Sequence, residues 1–329
     1  MASPRKFHPT SWLPGPHLQT IAPSLGRRAP HVPSRHEVVE LPDGDFVDIR
    51  RTEAGEADGP LLLVFHGLQG SGEAAYVLGM LAAANRRGWR GLAMSFRGCG
   101  EGGPNRLARA YHAGDTGDIR FIIDRVRNSE PDTILGTVGY SLGGNALLKY
   151  LAEEGEASPV SAAASVSAPL DLARCAGRLN RGFSRVYQRH LLRSLKQAHS
   201  DKLRLHPELA DQMPTIQVVA ACRTLREFDE RVVAPLHGFE GADDYYARCS
   251  SRRLLKDIRT PTLVIQSADD PFLDPSGTPD SSELSDAVTL EITAGGGHVG
   301  FCGAPAQGSE GRWWLEGRIP EFMATHGLR

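Results

Sequence analysis

The sequence predicts an α/β protein: a doubly wound, mostly parallel sheet interrupted by a helical cap insertion. Three observations carry this expectation. Apolar runs of strand length alternate with helical patterns from Leu61 to Ser167. The alternation stops between 169 and 253, where helices and loops replace strand patterns, and returns at Thr262. Within the alternating region, Gly139-Tyr140-Ser141-Leu142-Gly143 fills a G-x-S-x-G pattern where a strand pattern passes into a helical one. The expected division is an N-terminal arm over 1–35, a core over 36–168 and 254–329, and a helical cap over 169–253.

Taken in order, residues 1–35 are rich in Pro, Arg and His and carry little periodicity, which predicts an extended arm or short helix lying on the core. His36 to Leu41 and Phe46 to Thr52 flank the turn signal Pro42-Asp43-Gly44-Asp45 and predict an antiparallel hairpin at a sheet edge. Leu61-Leu62-Leu63-Val64-Phe65 is continuously apolar, the mark of a strand buried on both faces. A helix follows to about Arg87, with Gly88 as its stop. Trp89 to Phe96 and Ile134 to Tyr140 are the next strands, separated by a helix over Thr116 to Arg127. Leu142 to Glu154 is the helix after Ser141, and Ala162 to Ser167 a further small strand. Thr262 to Gln266 and Val288 to Ile292 complete the sheet, and Arg312 to Ala324 is a closing helix.

Composition excludes several classes. At 329 residues, with 40% hydrophobic and 23% charged residues, the chain has the make-up of an ordinary globular protein with one large core. A formal net charge of -2 gives no global attraction to nucleic acid. The five cysteines are scattered and lack a C-x-x-C pair, which argues against a disulfide framework or a zinc site and suits a reducing cytoplasm. No run approaches the roughly 18 apolar residues of a membrane span. No metal and no cofactor is expected.

The chemistry rests on strand ends. A serine hydroxyl needs a base to take its proton, and the base needs an orienting acid. In a sheet of this topology the expected order is serine, acid, histidine. After Ser141, one strand runs into Ser267-Ala268-Asp269-Asp270-Pro271-Phe272 and another into Ala294-Gly295-Gly296-Gly297-His298. His298 is the expected base. Asp270 is preferred as the acid because it lies farther into its loop, directly before Pro271; Asp269 and, more remotely, Asp171 are the alternatives. Asp171 otherwise reads as a helix N-cap. Backbone N–H groups of Leu142 and of Leu68, in the loop after the 61–65 strand, are the expected oxyanion donors. His66 reads as a structural support for that loop. Arg97 to Arg106 is Gly-rich but lacks the G-K-[ST] ending of a phosphate loop. In the cap, Arg174, Arg178, Arg181, Arg185, Arg189, Arg193 and Lys196 recur beside an apolar stripe of Phe183, Tyr187, Leu191 and Leu195, with Gly177 and Gly182 expected to split the run into two helices. The stripe reads as a solvated face or as a surface for peripheral contact with anionic lipid.

Taken together, these segments resemble the YheT-like branch of the α/β-hydrolase superfamily, a group of predicted esterases. The resemblance spans nearly the whole chain. It is carried by Pro16-His17-Leu18-Gln19-Thr20, His66-Gly67-Leu68, Phe96-Arg97-Gly98-Cys99-Gly100, Asn105-Arg106, Tyr111-His112, Gly139 to Asn145, Phe228-Asp229, Tyr245-Tyr246 and Asp269-Asp270-Pro271-Phe272. It implies an α/β-hydrolase fold and a triad of Ser141, Asp270 and His298. It also implies an acyl ester as substrate, cleaved by water or passed to an alcohol. The family often has Asn before the first Pro of its N-terminal motif, where this chain has Gly15. The expected setting is cytoplasmic, without the membrane anchor of some eukaryotic relatives.

Overall fold

A computed structural model describes residues 6–303 and 312–329; residues 1–5 of the expected arm and 304–311 of the expected core lie outside them. Eight strands form one sheet in the order β1-β2-β4-β3-β5-β6-β7-β8. β1 (Ser34–Glu40) and β2 (Phe46–Thr52) form the antiparallel edge hairpin. β3 (Leu61–Phe65), β4 (Arg90–Ser95), β5 (Leu135–Tyr140), β6 (Ala162–Val166), β7 (Thr262–Ser267) and β8 (Val288–Thr293) run parallel to one another.

Burial follows strand position. Every residue of β3, β5, β6 and β7 is buried, because helices cover both faces there. The edge strands β1 and β8 have mostly part-exposed or exposed residues. On one face α2 (Ala75–Asn85) and α11 (Leu315–Thr325) contribute Met80, Leu81, Ile319 and Met323 to a cluster with Leu62, Val64 and Val138. On the other, α3 (Gly117–Ser129) and α4 (Leu142–Glu154) contribute Ile119, Ile123, Leu147 and Leu151 to a cluster with Leu61, Leu63 and Phe65.

Between β6 and β7 lie the cap helices: α5 (Leu172–Leu179), α6 (Ser184–Leu205), α7 (Ile216–Ala221), α8 (Leu225–Phe228), a π turn over Asp229–Val233, α9 (Ala234–His237) and α10 (Ala242–Cys249). They share their own apolar cluster, including Leu179, Tyr187, Leu192, Phe228 and Val232. The run splits into two helices as expected, but at Gly182 and not at Gly177. Gly177 stays inside α5, and the chain turns at Asn180–Phe183, where Gly182 takes φ +53°.

The arm is largely helix: α1 spans Gly15–Gly26. Gly15 enters it at φ +77°, a region open to Gly and, among other residues, best tolerated by Asn.

Candidate active site

The end of β5 turns so sharply into α4 that Ser141 sits at φ 50°, ψ -119°. A non-glycine residue there costs about 1–3 kcal/mol, which its surroundings must offset. Ser141 N–H donates to Val166 O at 2.8 Å and its carbonyl accepts from Asn145 N at 3.1 Å. The Asn145 side chain in turn bonds Ala113 O, Cys249 O and Ser251 N, tying the start of α4 to two neighbouring loops. The glycines have a steric reason. A Cβ on Gly139 would lie 2.5 Å from Gly143 O, and one on Gly143 would lie 2.3 Å from His66 O.

Ser141 Oγ lies 3.0 Å from His298 Nε2, and His298 Nδ1 lies 2.9 Å from Asp270 Oδ2. A carboxylate only accepts, so Nδ1 carries the proton and Nε2 is left to accept from the serine hydroxyl. Asp270 is itself fixed: it is buried, and its Oδ1 accepts from Phe272 N at 2.8 Å. Asp269 points elsewhere, accepting from Gly297 N at 3.1 Å and from the Ser267 hydroxyl, so it holds the two loops together. Asp171 caps α5 through Arg174 N at 3.0 Å.

The loop after β3 is braced by tyrosines. Gly67 N–H donates to Tyr76 Oη at 2.9 Å and Gln69 N–H to Tyr111 Oη at 2.8 Å. Between them the Leu68 N–H has no acceptor among the described residues. The Leu142 N–H, first in α4, precedes the helix's own ladder. Leu68, Leu142, Ser141 and His298 border one cavity. His66 supports the loop from below: Nε2 accepts from Phe96 N at 3.0 Å and Nδ1 lies 2.7 Å from Gly67 O. Complete burial pushes this ring down to about 4, which keeps it neutral. Burial likewise pushes the Cys99 thiol up to about 12 and leaves it a poor nucleophile.

The His298 loop is clamped by parts of the chain to which sequence reasoning gave no role. Thr20 Oγ1 accepts from His298 N at 2.9 Å while donating to Pro16 O at 2.7 Å. The buried Gln19 amide bonds Cys302 through both its N–H and C=O ends. Packing is so close that a Cβ on Gly297 would lie 2.6 Å from Thr20 Oγ1 and one on Gly300 1.8 Å from Gln19 O. Phe272 stacks on the imidazole, with ring centroids 3.9 Å apart and planes 7° from parallel.

The cavity measures about 1150 Å³ and reaches from Ser141 under the cap. Leu179, Tyr187, Leu191, Phe228, Val232 and Phe272 give it apolar walls. Among the cavity's polar lining residues is Asp229, whose Oδ2 accepts from Tyr246 Oη at 2.6 Å. Burial pushes this acid up to about 7, against the opposing pull of Tyr246 and Arg226. The only sequence signal for it was the Phe228-Asp229 and Tyr245-Tyr246 pairs within the family resemblance. Asn105 borders the cavity too, but its side chain is committed to Asp45, Arg109 O and Lys202.

Comparison with known proteins agrees with this architecture. Residues 60–305 match the family model described as "alpha/beta hydrolase fold". YheT of Escherichia coli (strain K12), provisionally named an esterase, is 42% identical over 99% of this chain and 95% of its own. Medium-chain fatty acid ethyl ester synthase/esterase 2 of Saccharomyces cerevisiae (strain ATCC 204508 / S288c) is 30% identical over 86% of this chain and 65% of its own. Among solved structures, the Pyrococcus furiosus esterase Pf2001 superposes with a TM-score of 0.57 at 13% identity, covering 99% of both chains, a likeness of fold alone. With the family model and the YheT match each spanning most of its length, the chain belongs to the α/β-hydrolase superfamily, in its YheT-like branch.

Proposed function

We propose that this hydrolase cleaves carboxylic esters through an acyl-enzyme on Ser141. The observation that carries the reading is the unbroken hydrogen-bonded series Asp270–His298–Ser141, with the serine on a strained turn at the wall of a large apolar cavity. His298 Nε2 takes the Ser141 proton as Oγ attacks the ester carbonyl. Asp270 holds the ring and favours the imidazolium. The Leu68 and Leu142 N–H groups receive the oxyanion, and α4 adds the positive end of its dipole. His298 then gives the proton to the leaving alcohol, and water resolves the acyl-enzyme by the same path in reverse. The cavity walls suit an acyl chain. The five cysteines are free thiols, which supports a cytoplasmic setting. No helix among the described residues is long and apolar enough to cross a membrane.

A fluorophosphonate probe is expected to label native protein at Ser141, and Ser141→Ala is expected to lose labelling and about 10⁶-fold in kcat on a soluble ester. Absence of labelling in freshly prepared, folded protein would sink the enzyme reading in favour of a non-catalytic binding protein. A second reading, acyl transfer to an alcohol with the same residues, is favoured by the synthase/esterase name of the yeast relative. Product partition separates the two: new ester as the main product at modest alcohol concentration supports transfer, and free acid supports hydrolysis.

A further inference from the structure

Several exposed arginines of the core are held by carboxylates: Arg35 pairs with Glu53, Arg106 with Glu40 and Arg125 with Glu37. Along α6 the pattern differs. Arg185, Arg189 and Arg193 recur at four-residue intervals as an exposed stripe, with Arg181 just ahead of it. None of these has a carboxylate within ion-pair distance among the described residues. Beside them Phe183 and Val186 stand 49% and 48% exposed. Helix α1 lies against this end of α6: the His17 ring is 4.4 Å from that of Phe183, and His17 Nδ1 is 3.0 Å from Tyr187 Oη. On α1, Leu18 and Leu25 are 45% and 83% exposed. The cavity reaches the surface here, where Ser24 of α1 and His190, Arg193 and Gln197 of α6 border it and are exposed, as it does at Arg204 and Leu205 at the far end of α6.

We propose that this face docks the protein on an anionic lipid surface, with Phe183, Val186, Leu18 and Leu25 entering the acyl boundary and the four arginines meeting headgroup phosphates. Charge selects the partner. Unpaired cations flanking exposed apolar side chains are what interfacial helices present to anionic bilayers. A two-fold pairing with a second copy would set the arginine stripe against itself. Docking places this mouth of the cavity against the bilayer, so that an acyl ester enters without crossing water; this delivery step rests on the esterase reading, whereas docking does not.

The test is co-flotation of the full chain with vesicles of phosphatidylcholine alone or of phosphatidylcholine with phosphatidylglycerol. Turnover of a water-soluble short-chain ester is measured alongside. Arg185 and Arg189 do not border the cavity, so Arg185→Glu/Arg189→Glu serves as the main variant and Phe183→Ser as the second. Each arginine near an anionic surface is worth about five-fold in partitioning, so the double variant is expected to bind at least about thirty-fold more weakly. Wild type is expected to float only with phosphatidylglycerol present and to detach as salt rises. Phe183→Ser is expected to weaken binding while keeping the salt response. Soluble-ester turnover is expected to stay unchanged in the double variant. Failure to float, equal flotation with both vesicle types, or wild-type binding by the double variant overturns the proposal. A concentration-dependent dimer that the double variant abolishes, without vesicle binding, overturns it in favour of self-association. Vesicle binding without ester turnover upholds docking and overturns the esterase reading instead.

Discussion

The sheet edge and the cap wall the same cavity in opposite ways. At the edge, Ser141, His298 and Asp270 form a closed series; Thr20 and Asn145 bond the segments that carry His298 and Ser141, and Tyr76 and Tyr111 brace the Leu68 loop beside them. In the cap, Asp229 borders the cavity on a π turn, and buried His237 Nε2 has no hydrogen-bond partner among the described residues. Satisfied polar networks hold one geometry, and groups left unpaired beside a cavity are available to a ligand. On the proposed esterase reading, bond-making falls to the edge and choice of substrate to the cap. π turns are frequent at functional sites, which fits that division.

The comparison breaks most sharply at the two neighbouring carboxylates. Asp270→Asn keeps the shape of the site but removes the acceptor that fixes the His298 tautomer, and kcat on a soluble ester is expected to fall about 10⁴-fold. Asp269→Asn loosens only the contact to Gly297 and Ser267 and is expected to stay within about ten-fold of wild type. Steady-state rates of both variants decide the matter. Equal losses would mean that Asp270 has no special role.

A smaller effect tests whether the clamp on the edge comes from the N-terminal helix. Thr20→Val keeps side-chain volume and leaves His298 N without its acceptor. An orphaned N–H costs about 1–3 kcal/mol, which appears as lost stability and a looser imidazole. The expected outcome is a kcat reduced by about ten-fold with KM nearly unchanged, together with a lower Tm by differential scanning calorimetry. A changed KM at constant kcat would move Thr20 from positioning the base to binding substrate.

The same contrast explains what the sequence made legible. The α/β alternation was readable because strands buried on both faces must be continuously apolar, and the doubly wound sheet follows from it. Ser141, Asp270 and His298 were singled out because each follows a strand, and the structure brings those strand ends within hydrogen-bonding reach. The role of α1 was hidden. Gln19 and Cys302 are 283 residues apart, and neither residue type announces such a pairing. Gly297 and Gly300 carried a trace of it, since glycines there are needed for the approach of α1, but a glycine names no partner. Asp229 was hidden for another reason. An acid in a helical segment reads as solvated, and only the cap's packing removes the water.

The smallest effect probes that packing through pH. An Asp whose folded pKa lies above its unfolded value holds its proton longer when folded. For Asp229, raised by burial from an ordinary 3.8 to about 7, the folded state binds more protons through that interval. Stability therefore falls as pH rises from about 4 to about 7 and levels off above it. Asp229→Asn preserves an oxygen that accepts from Tyr246 and cannot ionise. Its Tm is expected to match wild type near pH 4 and to exceed it by roughly a few degrees at pH 8. The cap is then more stable but less able to accept a hydrogen-bond donor or cation from a substrate at high pH, so KM across an ester panel is the companion measurement. If Tm differs equally at both pH values, the Asp229 carboxyl is hydrated and ionised throughout, and the cap's cavity wall is as well solvated as its outer face.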